Sequence, residues 1–178
     1  MPILQILALS GSLRAASLNS MLLRASARLA PAGVDVEVYR GLGALPLFNP
    51  DLDPLEQPAV SDLYARIVAA QAVVIASPEY AHGVSGVMKN ALDWMVANDS
   101  FVSKPVGLFN ASPRATIAQA SLREILETMS ARIIPEACIT VGLLGSGLDE
   151  EALVRHSQMG AAIIGALRAL IAFNAARN

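Results

Sequence analysis

The chain has 178 residues, 54% of them hydrophobic and 16% charged, with a formal net charge of −2. That length suits one domain spanning residues 1–178, and so apolar a composition excludes a disordered chain. Lysine occurs only at Lys89 and Lys104, so the basic footprint of a nucleic-acid or anionic-membrane binder is missing, and neither partner is expected.

The N-terminal run Ile3 to Leu9 is nearly continuous in apolar residues and ends at Ser10-Gly11-Ser12, the pattern of a strand buried on both faces. It is only strand length and no basic segment precedes it, so no signal peptide is expected at Met1-Pro2. Leu18, Leu22, Ala25 and Leu29 recur at helical spacing until Pro31-Ala32-Gly33 stops them. Val34, Val36 and Val38 alternate with Asp35, Glu37 and Tyr39, predicting a half-buried strand near a sheet edge.

Residues 41–58 carry Pro46, Pro50, Pro54 and Pro58, a long loop that could overhang a site. A helix from about Ser61 to Ala70 then leads into the unbroken apolar run Ala72 to Ala76, a third buried strand. After the loop Ser77 to Gly86 come a helix Val87 to Val96, a strand Pro105 to Phe109 and a helix Thr116 to Arg132. A short strand near Cys138 to Val141 and a helix Asp149 to Phe173 end the chain. Within that last helix Ala161 to Phe173 is too short, and broken by Arg168, to span a bilayer. Five strands alternating with five helices predict an α/β fold: a doubly wound, flavodoxin-like three-layer sandwich with a five-stranded parallel sheet and helices on both faces. Ligands of such a sheet bind outside the carboxyl ends of its strands, which singles out Ser10 to Ser17, Ser77 to Gly83 and Asn110 to Arg114.

Cys138 is the one cysteine. It can make neither an internal disulfide nor a thiolate-ligated metal centre, so no metal is expected and a reducing cytoplasm fits. The first loop, Ser10-Gly11-Ser12-Leu13-Arg14-Ala15-Ala16-Ser17-Leu18-Asn19, offers hydroxyls, an amide and a guanidinium where a helix begins. Free backbone N–H groups and the positive end of the helix dipole favour a phosphate there. Local composition fits equally a helix capped by Ser17 with Arg14 as a solvated charge. The loop is neither a Walker A sequence nor GxGxxG. Gly142, Gly145 and Gly147 precede Asp149-Glu150-Glu151, acids that read as a helix N-terminal turn rather than a phosphate site. Lys89 and Asp93 read as a surface pair, Trp94 as core or subunit contact, His82 as a polar rim residue and His156 as solvent-facing.

The second loop runs Ser77-Pro78-Glu79-Tyr80-Ala81-His82-Gly83-Val84-Ser85-Gly86 and continues through Lys89-Asn90 to Asp93-Trp94. Together with Gly11-Ser12-Leu13-Arg14, Ser17 and Asn19, it resembles the NADPH-dependent FMN reductase family, which includes quinone, azo and chromate reductases, over nearly the whole chain. The resemblance implies that Ser12, Arg14, Ser17, Leu18 through its backbone, and Asn19 surround the FMN phosphate. It places Pro78, Glu79, Tyr80 and Ala81 along the isoalloxazine ring, largely through backbone groups, and Ser112 on a third flavin-side loop. Family members often carry Asn at the position of Ala81 and Pro at that of Ser85, and their Gly-rich third loop is here shortened to Pro113-Arg114.

The implied activity is that of an NAD(P)H-dependent FMN-containing oxidoreductase. Hydride passes from NADPH, or NADH, to FMN and two electrons pass on, in ping-pong order, to a small-molecule acceptor: a quinone, azo compound, chromate or flavin. The chemistry belongs to FMN N5, so no catalytic side chain is required. A flavodoxin-type electron carrier and a non-catalytic flavin-binding module are the alternatives. The carrier would need stacked aromatics and an acidic surface, whereas aromatic residues make up only 4% of the chain. A homodimer or homotetramer is also implied, with helix Val87 to Val96 supplying surplus apolar surface.

Overall fold

The computed structural model describes residues 3–176, so Met1 and Pro2 lie outside the described residues. Strands β1 (Leu4–Ser10), β2 (Val34–Tyr39), β3 (Ala72–Ala76) and β6 (Pro105–Asn110) form the body of a parallel sheet in the order β2-β1-β3-β6. The fifth position is filled in two pieces, β7 (Arg132–Ile133) and β8 (Ile139–Thr140), each paired with β6 and separated by a 3-10 turn at Pro135–Ala137. Strand β2 takes the edge that its alternation predicts.

Period-2 alternation divides each strand between two cores. Leu7, Leu9, Val73, Ile75, Val106 and Leu108 point to one face, where α2 (Pro58–Ala69), α3 (Gly86–Val96) and α4 (Thr116–Thr128) pack through Leu63, Trp94 and Leu122. Ile6, Ala8, Val74 and Phe109 point to the other, covered by α1 (Leu18–Arg28), α5 (Glu150–Arg155) and α6 (Ser157–Ala175) through Leu22, Leu153 and Leu167. This is the flavodoxin-like three-layer arrangement.

Several elements differ from the sequence reading, among them α2, which starts at Pro58 rather than about Ser61. Helix α4 ends at Thr128 rather than Arg132, because Ser130 turns left-handed (φ 60°) and Arg132 already belongs to β7. The single helix expected over Asp149 to Phe173 is two, because His156 leaves helical geometry and its Nδ1 accepts from the Met159 amide at 3.3 Å. His156 is thus a half-buried cap and not a solvent-facing side chain. Residues 79–84, read as loop, form a hairpin of β4 (Glu79–Tyr80) and β5 (Gly83–Val84). The proline-rich loop is docked on α3: Asn90 Nδ2 and Trp94 Nε1 both donate to the Pro46 carbonyl, at 2.9 and 2.8 Å, and Phe48 meets Trp94 edge to face.

Helix α3 buries Met88, Ala91, Leu92, Trp94 and Met95 within the chain, so its surplus apolar surface reduces to Val96. Leu47, Leu52 and Leu55 of the proline-rich loop are among the exposed apolar side chains. Among the described residues α6 alone is long and apolar enough to cross a membrane by length and composition, and its Ile163, Ala166, Leu167 and Leu170 belong to the core. Asp149 caps α5 through the Ala152 amide at 2.7 Å, and Glu150 and Glu151 pair with Arg24 and Arg28 of α1, as a helix-start reading of those acids requires.

Candidate functional site

Strand order reverses at β1, whose neighbours β2 and β3 lie on opposite sides, and the loops after β1, β3 and β6 meet outside the carboxyl ends of the strands. They enclose a cleft of about 320 Å³ lined from the first loop by Ser12, Arg14, Ala16, Ser17, Leu18 and Asn19. Ser77, Pro78, Glu79 and Tyr80 line it from the second loop, and Asn110, Ala111, Ser112, Arg114 and Ala115 from the third. Of the ten site residues expected from sequence, the structure brings nine together. Ala81 is the exception, because it occupies the hairpin turn and does not line the cleft. None of residues 41–58 lines it either, so the proline-rich loop does not overhang this site.

Serine hydroxyls prefold the first loop. Ser10 Oγ accepts from the Ser12 amide at 3.3 Å and lies 2.7 Å from Ser20 Oγ, while Ser12 Oγ accepts from the Arg14 amide at 3.4 Å. Ser17 caps α1 by accepting from the Ser20 amide at 3.2 Å. The Leu18 and Asn19 amides remain at the start of the helix, where no intrahelical acceptor exists. Asn19 Oδ1 is buried without a hydrogen-bond partner, which carries a desolvation cost.

The same wiring recurs after β6. Asn110 Oδ1 accepts from the Ser112 amide at 3.0 Å and Ser112 Oγ from the Arg114 amide at 3.3 Å. Arg14 and Arg114 therefore sit at matching positions of two similar turns, and neither guanidinium has an ion pair among the described residues.

Between them stands the hairpin. Its two-residue turn, Ala81-His82, has φ of 48° and 57°, the left-handed pair that hairpin turns demand and that L side chains other than Asn or Asp resist. Glu79 anchors the hairpin to α4: Oε2 accepts from the Ala118 amide at 2.9 Å, completing an N-terminus whose own cap, Ala115, has no side-chain acceptor. Oε1 lies 3.2 Å from His82 Nδ1. The Ala118 hydrogen bond, aided by His82, outweighs partial desolvation and holds the Glu79 carboxyl below its ordinary range. The Glu79 side chain thus faces a helix end, which leaves the backbone of the residue for ligand contact. Tyr80, 58% exposed, is the one aromatic residue lining the cleft.

Outside the three loops and the residues named from sequence, Ala115 and Leu144 also line the cleft. Leu144 comes from the 142–147 segment after β8, and its position at the carboxyl end of the fifth strand was the available signal. The site suits an elongated anion: amides and a guanidinium at one end, a half-open apolar and backbone surface at the other. Free first-turn N–H groups, and two guanidiniums without an ion pair among the described residues, suit the phosphate of a phosphorylated flavin.

Comparison with known proteins agrees with this chemistry. A quinone reductase of Escherichia coli is 33% identical over 156 residues, covering 83% of this chain and 82% of its own. An NAD(P)H-dependent FMN reductase of Pseudomonas aeruginosa is 38% identical over 112 residues, 61% of this chain and 60% of its own. Among solved structures, the flavoenzyme NAD(P)H:(acceptor) oxidoreductase FerB of Paracoccus denitrificans shares the fold, with a TM-score of 0.71, 24% identity and 98% coverage of both chains. Residues 4–143, which carry all three cleft loops, match the NADPH-dependent FMN reductase family, and with that span of sequence and this cleft the chain belongs to it.

Proposed function

We propose that the cleft holds FMN and that the chain works as an NAD(P)H-dependent oxidoreductase delivering two electrons to quinone-type acceptors. The observation that carries this reading is the convergence of the three loops on one anion-receptive cleft at the switch point of the sheet. When bound, FMN supplies the redox chemistry. The protein's part is to hold and present it.

Arg14 and the Leu18 and Asn19 amides take the phosphate, with Ser12 and Ser17 keeping that loop in shape. Pro78, Glu79 and Tyr80 present backbone to the ring, Ala81 acts through its turn, and Ser112 borders the far side. A one-electron carrier would line such a cleft with aromatic side chains; here Tyr80 stands alone and largely exposed, which leaves a ring face open to donor and acceptor in turn. NADPH is the preferred donor in this reading.

A homodimer or homotetramer is part of the proposal, supported by exposed Leu47, Leu52 and Leu55 on a loop that α3 holds in place; sedimentation as a monomer alone would refute it. A cytoplasmic location accords with Cys138 as a free thiol. The test is an anaerobic visible spectrum of protein reconstituted with FMN and freed of excess, before and after NADPH. A retained flavin band that bleaches supports the reductase. A retained band that persists favours a carrier or storage module, and a band lost with the excess refutes the phosphate assignment.

A further inference from the structure

Two guanidiniums line the cleft, Arg14 and Arg114, and a single phosphate held by Arg14 with the Leu18 and Asn19 amides engages only the first. Strand β3 separates β1 from β6, so the loops that carry the two arginines start about 10 Å apart at the usual strand spacing. Arg114 therefore stands on the opposite bank. Its backbone is braced there, because Asn110 Oδ1 and Ser112 Oγ hold the turn through the Ser112 and Arg114 amides. No anion of the chain answers its charge: Arg114 has no ion pair among the described residues. Glu79 supplies the one carboxylate that lines the cleft, and that group is engaged by the Ala118 amide and His82.

Around this cation the rim is apolar and open. Tyr80 and Leu144 line the cleft and are exposed. The Leu143 amide donates to the Ala111 carbonyl at 3.0 Å, which ties the segment of Leu144 to the loop that carries Arg114. Ile117, also exposed, follows on the first turn of α4. Apolar side chains from three segments, wet in the free protein, gain by being covered with a flat apolar molecule. A guanidinium among them gives that molecule's charged end a partner, since its planar fork matches the oxygens of a carboxylate or sulfonate. We propose that Arg114 selects the electron acceptor, an aromatic quinone bearing such an anionic substituent, with the ring against Tyr80 and Leu144 and the anion on the guanidinium. The proposal rests on the reading that the cleft holds FMN and names the acceptor class for it. In the overall reaction NAD(P)H is oxidised to NAD(P)+ by loss of a hydride, and the quinone, gaining those two electrons with that proton and one more from solvent, becomes a hydroquinone. The anionic substituent is unchanged, so Arg114 positions the acceptor and moves no proton.

The experiment measures kcat/KM of the FMN-loaded protein for 1,4-naphthoquinone-2-sulfonate and for the neutral 2-methyl-1,4-naphthoquinone, in the wild type and in Arg114→Lys, Arg114→Gln and Arg114→Glu. The quinones differ in potential, but that difference cancels when their ratio is compared between variants. The ratio of sulfonate to neutral acceptor should fall about fivefold or more in R114Q, fall further in R114E, and be largely kept in R114K. Added salt should lower the wild-type value for the sulfonate and lower that of R114Q less. A ratio equal in wild type and R114Q would overturn the proposal. So would weakened FMN retention in R114Q with the ratio unmoved, which would put Arg114 on the phosphate. Failure of the wild type to retain FMN, or to reduce either quinone, would overturn the flavin reading itself and the proposal with it.

Discussion

Ser85 Oγ donates to the Gly11 carbonyl oxygen at 2.6 Å, tying the start of α3 to the first cleft loop across 74 residues of sequence. Ser85 Oγ also accepts from the Met88 amide at 3.3 Å and so caps α3, and Ser77 Oγ lies 3.3 Å from it. A Cβ at Gly11 would fall 2.8 Å from Ser85 Oγ, which is why the first loop has glycine there.

Ser85→Ala removes a helix cap and leaves a buried carbonyl unpaired, a cost of about 2 kcal/mol. Urea unfolding followed by Trp94 fluorescence should show a lowered midpoint with unchanged slope, and FMN retention should weaken with it. Gly11→Ala should push the two loops apart and impair retention more than stability.

Arg14→Ala should weaken FMN binding by roughly ten- to a hundredfold through loss of charge-assisted hydrogen bonds of about 1.5–3 kcal/mol. Equilibrium dialysis against FMN measures it, and unchanged affinity would remove Arg14 from the phosphate site.

The Ala81-His82 turn is a site for stabilisation. Ala81→Asn or Ala81→Gly relieves a left-handed strain of about 1 kcal/mol, so Tm should rise by about 2–4 °C. A fall in Tm would mean that the hairpin owes its shape to something other than this turn.

Acid should loosen the hairpin through Glu79. Its carboxyl is held below the ordinary range in the fold by the Ala118 amide and His82, so its stabilising effect is full above the unfolded value of about 4.3 and is lost as pH falls through the folded one. Glu79→Gln should flatten that acid limb, as seen by thermal melts between neutral and strongly acid pH.

At the alkaline end, burial first and the 2.9 Å hydrogen bond to Asp62 second push the Tyr39 hydroxyl up to about 12. The folded state thus favours the neutral phenol, and the stability it contributes is complete below about 10 and lost as pH rises toward the folded value. Ultraviolet titration should show a late tyrosinate step that Tyr39→Phe abolishes.

The fold was legible where period carried it. β1, β3 and β6 read as apolar runs, β2 as alternation, and α1 through its Leu18, Leu22, Ala25 and Leu29 spacing. Illegible were the places where an unmarked residue does a marked residue's work. Ala81-His82 makes a turn that Asn-Gly would have announced, Ser130 takes a left-handed conformation usual for glycine, and His156 breaks a helix with no proline or glycine directly beside it. The cleft was legible because its residues cluster in three short loops.

The broken fifth strand governs how the molecule meets copies of itself. Strand β7 and strand β8 offer two residues each, interrupted by the Pro135–Ala137 turn that presses its Ala137 carbonyl toward Gly107, so that margin gives no continuous ladder for a foreign strand. The opposite margin, β2, carries the carboxylates of Asp35 and Glu37, both exposed. With one margin fragmented and the other charged, sheet-to-sheet polymerisation is blocked at both ends, and the chain is left to associate only through its helical faces and loops.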